Sequence, residues 1–296
     1  MAFSKLSGDE KGIILGHLRN TLEPHLVMYM SSASKELRAL LPAAARQQLR
    51  ADYEEATELC IKMGMRSCRE LSEAWRIGWL QRFTSAADLS TLAKLGSVLP
   101  ALEELRLQEI TGSANPDGMQ RLAEGLVAGS LPAVTCLDIG FMHVGDAGAS
   151  AIAAALDRGA LPRLNSLLLS NAAIGDAALA ALAPALRRRP ALQFLYLTDS
   201  PFGDEGLAAL VAPPPPAGKP PTTGGLKKLE HLDLSGTQVT NAGCATLVAA
   251  LDSGALPALE ELELEDTRAS AAVMAAWVVP ALARSRAAAL PFEEEE

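Results

Sequence analysis

A nine-residue pattern recurs six times in the last two-thirds of the chain. Each copy places apolar residues at positions i, i+3 and i+5, as in Leu164, Leu167 and Leu169. A fixed period of this length indicates repeated units that bury their apolar faces only by stacking on one another. The copies lie 28 to 37 residues apart and begin at Leu99, Leu131, Leu161, Arg189, Leu226 and Leu256.

Each repeat has the pattern of one strand followed by one helix. The last two apolar residues alternate as a β-strand requires, and Ala-rich segments with apolar residues at helical spacing follow. Between them stand residues suited to capping the amides of a helix N-terminus, namely Asp146, Asp176, Asp204 and Asn241. We therefore predict an α/β solenoid of about six units, with a parallel sheet on the inner, concave side and helices outside.

The string Ile174-Gly175-Asp176 and its counterparts, together with the repeat length, resemble the ribonuclease-inhibitor-like subfamily of leucine-rich repeats. This resemblance covers residues 99 to about 290 and implies a right-handed α/β horseshoe. We place a leucine-rich-repeat domain at residues 96–292 and expect the four glutamates 293–296 to form an acidic tail.

A proline-rich insertion interrupts this array at residues 211–225, between the fourth helix and the next strand. Proline ends a helix and favours the extended polyproline conformation. The segment is either a solvated loop or a docking loop for a proline-recognising domain.

The repeat pattern is absent from the first 95 residues, where helical patterns replace it. Five of them give a small all-α module, and they cover Glu10–Leu18, Leu22–Met30, Ser34–Leu41, Ala43–Met63 and Ser67–Phe83. This module either binds a partner of its own or caps the open end of the solenoid, which every repeat array must shield from water.

Residues 4–45 of this module resemble an F-box, with Ser34-Lys-Glu-Leu-Arg38 similar to the motif's closing string. Ser7 replaces the usual proline and Leu37 the usual aromatic residue. The resemblance implies that the module binds a Skp-type adaptor of an SCF-type ubiquitin ligase. The residues of its apolar face would be Leu6, Ile14, Leu15, Leu18, Leu26 and Leu37.

No catalytic or cofactor motif accompanies the repeats. The sequence has no phosphate-binding loop, no dinucleotide fingerprint, no H-E-x-x-H and no nucleophile elbow. His231 and Asp233 share one strand face, but two ligands are too few for a zinc site. We therefore expect a non-catalytic protein without cofactor or metal.

Strand alternation places the residue between the paired leucines, and its neighbours two positions away, on the concave face. Leu168, Phe194 and Tyr196 give an apolar group there, with Phe141 and Met142 in a nearby turn. Exposed aromatic residues of this kind suggest a contact site. The other candidates on this face are Arg106, Asp138, His231, Asp233, Glu261, Glu263 and Glu265.

The charge distribution indicates the kind of partner. The formal net charge is -9, and residues 96–296 hold 13 Lys and Arg against 24 Asp and Glu. This balance disfavours nucleic acid and anionic membranes and favours a protein with a basic and apolar segment. The glutamates of the last strand have a second interpretation, because charge also keeps a terminal strand soluble.

Cysteine usage and the N-terminus indicate the compartment. The four cysteines show no paired spacing, and the first residues lack the apolar stretch of a secretory leader. We therefore expect a cytoplasmic or nuclear protein.

Three functions fit these features. The first is a ligase adaptor that binds its client on the concave face, and the second is a scaffold whose first 95 residues only cap the array. The third is a GTPase activator of the RanGAP type, which shares the repeat subfamily and an acidic segment. Those proteins begin directly with repeats and have longer acidic tails, and Arg106 is the one inner-face arginine predicted here.

Overall fold

The structure is a computed structural model that describes residues 7, 10, 20–33, 35–80, 85–108, 116–211 and 226–289. Seven parallel strands form a single sheet in chain order. All six predicted strands are confirmed, and a seventh precedes them. The strands are β1 (Arg76–Leu80), β2 (Glu104–Gln108), β3 (Cys136–Asp138), β4 (Ser166–Leu168), β5 (Phe194–Tyr196), β6 (His231–Asp233) and β7 (Glu261–Glu263).

The strands align in one register, which follows directly from the repeat. Leu105 pairs with Leu137, and Leu137 with Leu167, so equivalent leucines stand side by side. These leucines point into the core, where Leu105 and Leu167 are fully buried. Because every unit contributes the same positions, a side chain's place in the repeat also fixes its neighbours on the sheet.

Helices follow the strands and complete the repeats, as predicted. The helix from Asp176 continues through Pro184 to Arg187. No helix in the described ranges is long and apolar enough to cross a membrane.

The helices from β1 onward are α5 (Ala86–Leu95), α6 (Pro116–Gly125), α7 (Gly145–Asp157), α8 (Asp176–Arg187), α9 (Asp204–Leu210), α10 (Asn241–Asp252), α11 (Ala271–Val273) and α12 (Val279–Ala289), the last two joined by a π-helical turn (Met274–Val278).

The N-terminal segment is only partly helical. The helix predicted over residues 67–83 is wrong, because it ends at Glu73 and β1 begins at Arg76. Pairing with β2 overrides the local helical pattern, and Ile77 turns into the core at 2% exposure. The all-α prediction for residues 1–95 therefore fails at β1. The helices that precede it are α1 (Pro24–Ala33), α2 (Lys35–Leu40), α3 (Ala43–Lys62) and α4 (Cys68–Glu73).

Two hydrophobic clusters divide these first helices. The buried residues of α4 and of the second half of α3, such as Leu71 and Leu59, belong to the same core as the repeats. Val27 and Leu41 instead form a small separate cluster with Leu49 at the start of α3. The second half of α3 and all of α4 are thus continuous with the solenoid core, whereas α1 and α2 pack mainly outside it.

The acidic residues at the helix starts join neighbouring repeats. Asp176 Oδ1 accepts hydrogen bonds from the amides of Gly203 and Gly206, at 2.8 and 2.7 Å. Asp204 accepts in the same way from the amide and hydroxyl of Thr240, at 2.8 and 2.6 Å. The expectation that they cap their own helices is wrong, since α8 and α9 have no side-chain cap of their own. Each instead accepts hydrogen bonds at the start of the helix in the next unit.

Candidate functional site

The face of the sheet opposite the helices, called here the open face, carries the side chains that the core does not use. Two rows cross it at right angles to the strands. The lower row contains Glu104, Cys136, Ser166, Phe194, His231 and Glu261, and the central row contains Arg106, Asp138, Leu168, Tyr196, Asp233 and Glu263. The predicted alternation is confirmed, because the leucines between the two rows point into the core.

Leu168, Phe194 and Tyr196, called here the apolar patch, lie together in the middle of the open face. Leu168 pairs directly with Tyr196, and all three side chains are partly exposed. The Tyr196 ring lies 4.8 Å from the His231 ring at a tilt of 32°. The sheet therefore brings together the three apolar residues that the sequence placed there.

His231 lies between the apolar patch and the last strand. It is buried to 9% exposure, with Nδ1 2.7 Å from Glu261 Oε2 and Nε2 3.2 Å from Glu263 Oε1. Both ring nitrogens thus face carboxylates, while one ring face lies against Tyr196. His231 acts as a bridge between the aromatic and acidic parts of the open face.

The acidic end of the open face contains groups of two kinds. Glu261, Glu263 and Glu265 are exposed, whereas Asp233 is buried to 8% exposure and accepts hydrogen bonds from the Thr198 hydroxyl and the Ser235 amide. Only the three glutamates present their charge directly to solvent.

The negative charges at the acidic end affect the ionisation of Tyr196 in the apolar patch. Burial raises the pKa of the Tyr196 phenol, and the negative charges of Glu263, Asp233 and Glu261 raise it further. A phenol that is harder to ionise in this field stays neutral. The apolar patch therefore remains an uncharged surface beside a strongly negative one.

The opposite end of the open face carries positive charge. The guanidinium of Arg106 lies 3.2 Å from the Glu104 carboxylate, and that of Arg76 lies 3.5 Å from the same carboxylate. Asp138, buried to 2% exposure, accepts from the Gln108 amide and the Gly140 backbone instead. The open face thus runs from a mixed basic end at β1 and β2 to an acidic end at β7.

The described parts of the chain contain no group of three or more His, Cys, Asp or Glu side chains placed to hold a metal ion. On the open face, burial raises the pKa of the Cys136 thiol, with smaller contributions from neighbouring charges. A thiol that stays protonated is a weak nucleophile. The arrangement is suited to noncovalent contact through apolar and charged groups.

Three of the six repeats match the family model described as "Leucine Rich repeat", over residues 131–153, 190–211 and 225–248. This chain contains leucine-rich repeats. The matched segments are the second, fourth and fifth copies of the sequence pattern, and each contains a strand and the start of its helix.

Three solved structures are among those that match the chain. The first, titled leiomodin-1 actin-binding site 2, is 15% identical with a TM-score of 0.39, over 70% of this chain and 92% of that one. An internalin of Listeria monocytogenes is 13% identical with a TM-score of 0.24, over 74% and 91%. A TLR13–ssRNA13 complex is 18% identical with a TM-score of 0.33, over 71% and 35%. No curated protein sequence matches the chain.

The F-box-like residues are described only in part. Leu6, Ile14, Leu15 and Leu18 lie outside the described residues, as do the acidic tail and all but the first residue of the proline-rich insertion. Leu26 lies on α1 with 44% of its surface exposed. Leu37 lies on α2, where its side chain is not described.

Two turn residues near the apolar patch behave differently from each other. Met142 is buried to 2% exposure and belongs to the core of the leucine-rich repeats, so the expectation that it joins an exposed apolar group is wrong. Phe141 remains 39% exposed.

Sequence reasoning missed the basic contribution of β1. Arg76 joins the open face because β1 pairs with β2. The signal was the spacing, since Ile77 precedes Leu105 by 28 residues, which is one period of the leucine-rich repeat. The residues around Ile77 lack the paired leucines of the other copies, so the local pattern predicts a helix.

Proposed function

We propose that this protein is a non-catalytic interaction module that binds a protein partner on its open face. The observation that carries the proposal is the apolar patch. Its three side chains stay partly exposed on the open face, while the leucines of the same strands point into the core. Partly exposed aromatic residues at the centre of a surface are the usual energetic anchors of interfaces. The extended inner surface of a repeat array is suited to such contacts.

The partner's chemistry follows from the neighbours of the apolar patch. Tyr196 on β5 lies two strands from Glu263 on β7, which at the usual strand spacing is about 10 Å. A partner with an apolar side chain over the patch can therefore place Lys or Arg over the three exposed glutamates. The basic flank would speed encounter, and the apolar anchor would supply most of the affinity.

The remaining candidates would support this contact. Arg106 would meet an acidic group of the partner at the other end of the open face. Asp138, His231 and Asp233 are engaged within the sheet, so we propose that they orient their neighbours in the interface. We also propose that the repeats belong to the ribonuclease-inhibitor-like subfamily and that the protein works in the cytoplasm or nucleus.

Affinity purification tests the proposal with three baits: the wild type, the double variant Phe194→Ser/Tyr196→Ser, and Tyr53→Ser. Tyr53 is an aromatic residue of α3 with 37% exposure, away from the open face, and serves as the matched control. We expect proteins recovered by the wild type and by Tyr53→Ser to be lost with the double variant. Equal recovery with all three folded baits would remove the open face as the binding surface.

We further propose that the first helices bind a Skp-type adaptor, so that the protein selects clients for an SCF-type ubiquitin ligase. The F-box-like sequence of residues 4–45 motivates this role. On α1, Leu26 and Tyr29 leave 44% and 76% of their surfaces exposed, and such apolar surface suits a partner.

Co-purification with a Skp-type protein tests the adaptor role. We expect Leu15→Asp/Leu18→Asp to lose the complex, because these residues would form the apolar face of the F-box-like motif. The double variant Phe194→Ser/Tyr196→Ser is the matched control and should retain it. If the Leu15 and Leu18 variant recovers as much Skp-type protein as the wild type, the adaptor role is wrong, and the helices serve only the solenoid.

A further inference from the structure

Phe141 occupies a backbone position that the other repeats fill with residues suited to it. In five successive units the third residue after the strand-end position has a positive φ, where left-handed backbone is favourable for Gly, Asn and Asp. The residues are Phe141 (φ 61°), Asn171 (52°), Asp199 (54°), Gly236 (69°) and Asp266 (53°). Phenylalanine is the one member of this set for which the conformation is strained.

Backbone hydrogen bonds show that these positions are equivalent. The amide of Phe141 donates to the carbonyl of Ser170 at 2.8 Å, and that of Asn171 donates to Thr198 at 2.8 Å. Asp199 donates to Ser235 at 2.9 Å in the same manner. The residues therefore form one row along the rim at the carboxyl ends of the strands, and the strain at Phe141 is not a product of a different turn.

Burial does not compensate the strain at Phe141. Leu131 and Leu161 also have positive φ values, 53° and 51°, but they are buried to 0% and 1% exposure and contribute to the core. Phe141 combines the same backbone cost with 39% exposure. Ala173 is strained as well (φ 56°), but it offers only a methyl group. A large apolar side chain that is both strained and exposed has a task outside the fold.

We propose that Phe141 is a second anchor for the partner of the open face, and that the partner presents an amphipathic helix. This inference rests on the function proposed above. A helix on the face of a sheet is one of the common two-layer arrangements, and the exposed glutamates at the acidic end of the open face are complementary to a helix that carries basic residues. Phe141 on the rim and Tyr196 at the centre would then receive two apolar residues of that helix.

The register sets the spacing between the two anchors. Phe141 lies three residues beyond Asp138, and Asp138 aligns through Leu168 with Tyr196, two strands away. With about 3.3 Å per residue and about 4.8 Å per strand, the separation is about 14 Å. Glu261 lies two further strands away and two residues back, about 12 Å from Tyr196. Positions i, i+11 and i+18 share one helix face and, at 1.5 Å per residue, lie about 17 and 11 Å apart, which comes near these two separations.

A synthetic helix is the probe for this arrangement. It carries Leu at positions i and i+11 and Lys at i+18 on an Ala and Gln background, and fluorescence anisotropy measures its binding to the full chain. A control peptide has its second Leu at i+9, which lies on the opposite helix face. We expect the wild type to bind the first peptide at least about 10-fold more tightly than the control peptide, a factor that equals 1.4 kcal/mol.

The variant Phe141→Asn separates a contact role from a structural one. Because Asn suits the left-handed backbone, we expect this variant to raise Tm by about 2 °C and to weaken binding of the first peptide at least about 10-fold. Asn171→Ala, at the equivalent rim position, should leave binding unchanged. A lower Tm for Phe141→Asn, or unchanged binding, would overturn the proposal.

Tyr196→Ser distinguishes this inference from the function on which it rests. If Tyr196→Ser abolishes binding and Phe141→Asn does not, the open face binds but Phe141 is not an anchor. If neither variant changes the dissociation constant, the peptide binds elsewhere and both proposals fail for it. A wild type that does not bind the peptide, or that binds both peptides equally, rules out the helical partner, while the affinity purification still decides the role of the open face.

Discussion

At the scale of single residues, side-chain hydrogen bonds from the helix starts connect each repeat to the next. Asp204 illustrates this, because both of its carboxylate oxygens accept hydrogen bonds from Thr240 in the next unit. A side chain on Gly243 would come within 2.3 Å of Asp204 Oδ1. Gly243 therefore leaves room for the carboxylate of Asp204, and Gly206 does the same for that of Asp176.

Replacing Asp204 should destabilise the array measurably. Asp204→Ala removes two hydrogen bonds to a charged acceptor, and we expect a loss of about 2 kcal/mol in the free energy of unfolding. Urea denaturation measures the loss. Asp146→Ala is the matched control, since Asp146 makes no such hydrogen bond to the described residues of the following unit. Equal losses for the two variants would contradict a specific role for the bond between repeats.

The pair between Lys62 and Asp88 ties α3 to the first repeat helix. Lys62 Nζ lies 2.6 Å from Asp88 Oδ1. Burial works to raise the pKa of Asp88, but hydrogen bonds from Lys62 and Ser85 outweigh it, so the pKa is lowered. A carboxyl group whose pKa is lowered by folding stabilises the native state above its unfolded pKa of about 3.9, and this stabilisation is lost as the pH falls through the folded pKa.

Asp88→Asn should therefore flatten the acid side of the stability profile. The wild type should lose stability steeply as the pH falls below about 4, whereas the variant, with no proton to gain at this position, should lose less. Urea midpoints at pH 7 and pH 3.5 measure the difference. Glu54→Gln, on the exposed surface of α3, is the control and should follow the wild type. Parallel profiles for Asp88→Asn and the wild type would exclude the pair as the cause.

At the scale of elements, the sequence determined the repeats well and the N-terminal junction poorly. The six paired-leucine strands were predictable because each unit repeats one pattern, and the apolar patch followed from their alternation. β1 was not predictable in the same way, since Ile77 has no leucine partners and its strand conformation depends on pairing with β2. The role of Asp176 was also beyond local reasoning, because the amides that donate to its carboxylate lie 27 and 30 residues away.

The strained turn at Phe141 shows another limit of sequence reasoning. The sequence placed Phe141 and Met142 together near the apolar patch, but it could not show that Met142 turns into the core while Phe141 stays exposed. That difference depends on the backbone angle of Phe141. Local propensity does not predict the positive φ of Phe141, because phenylalanine is not a residue that favours this conformation.

Truncation tests the division between the first helices and the solenoid. The second half of α3, α4 and β1 share the main core, while Val27 on α1 and Leu41, directly after α2, pack in a separate cluster. We expect a chain beginning at residue 43 to remain monomeric and folded. A chain beginning at residue 96 should aggregate, because it exposes the edge of β2 and the apolar side of α6. Size-exclusion chromatography distinguishes the two, and a soluble, monomeric chain from residue 96 would show that residues 1–95 are an independent module.

At the scale of the whole molecule, the open face carries a gradient of charge. Arg76 and Arg106 lie at one end, and Glu261 and Glu263 lie at the other, with the apolar patch between them. We propose that such a surface orients a partner of complementary polarity before contact. The net charge of -9 extends the same preference to the molecule as a whole.

Removing the acidic end should slow association more than it speeds dissociation. We expect Glu261→Gln/Glu263→Gln/Glu265→Gln to lower the association rate constant of a basic partner several-fold at low salt, with the difference shrinking as ionic strength rises. Surface plasmon resonance at 50 and 500 mM salt measures both constants. Glu54→Gln/Glu58→Gln on α3 is the control for net charge. A salt-independent difference would show that the glutamates act through direct contacts alone.

The dissociation constant of a purified partner for the apolar-patch variant tests the central claim most directly. The partner recovered with the wild type is titrated against the wild type, Phe194→Ser/Tyr196→Ser and the control Tyr53→Ser, each verified as folded. Loss of two central anchors should weaken binding at least about 30-fold, the factor that corresponds to 2 kcal/mol, and Tyr53→Ser should match the wild type. Equal dissociation constants for all three proteins would contradict the open face as the binding surface.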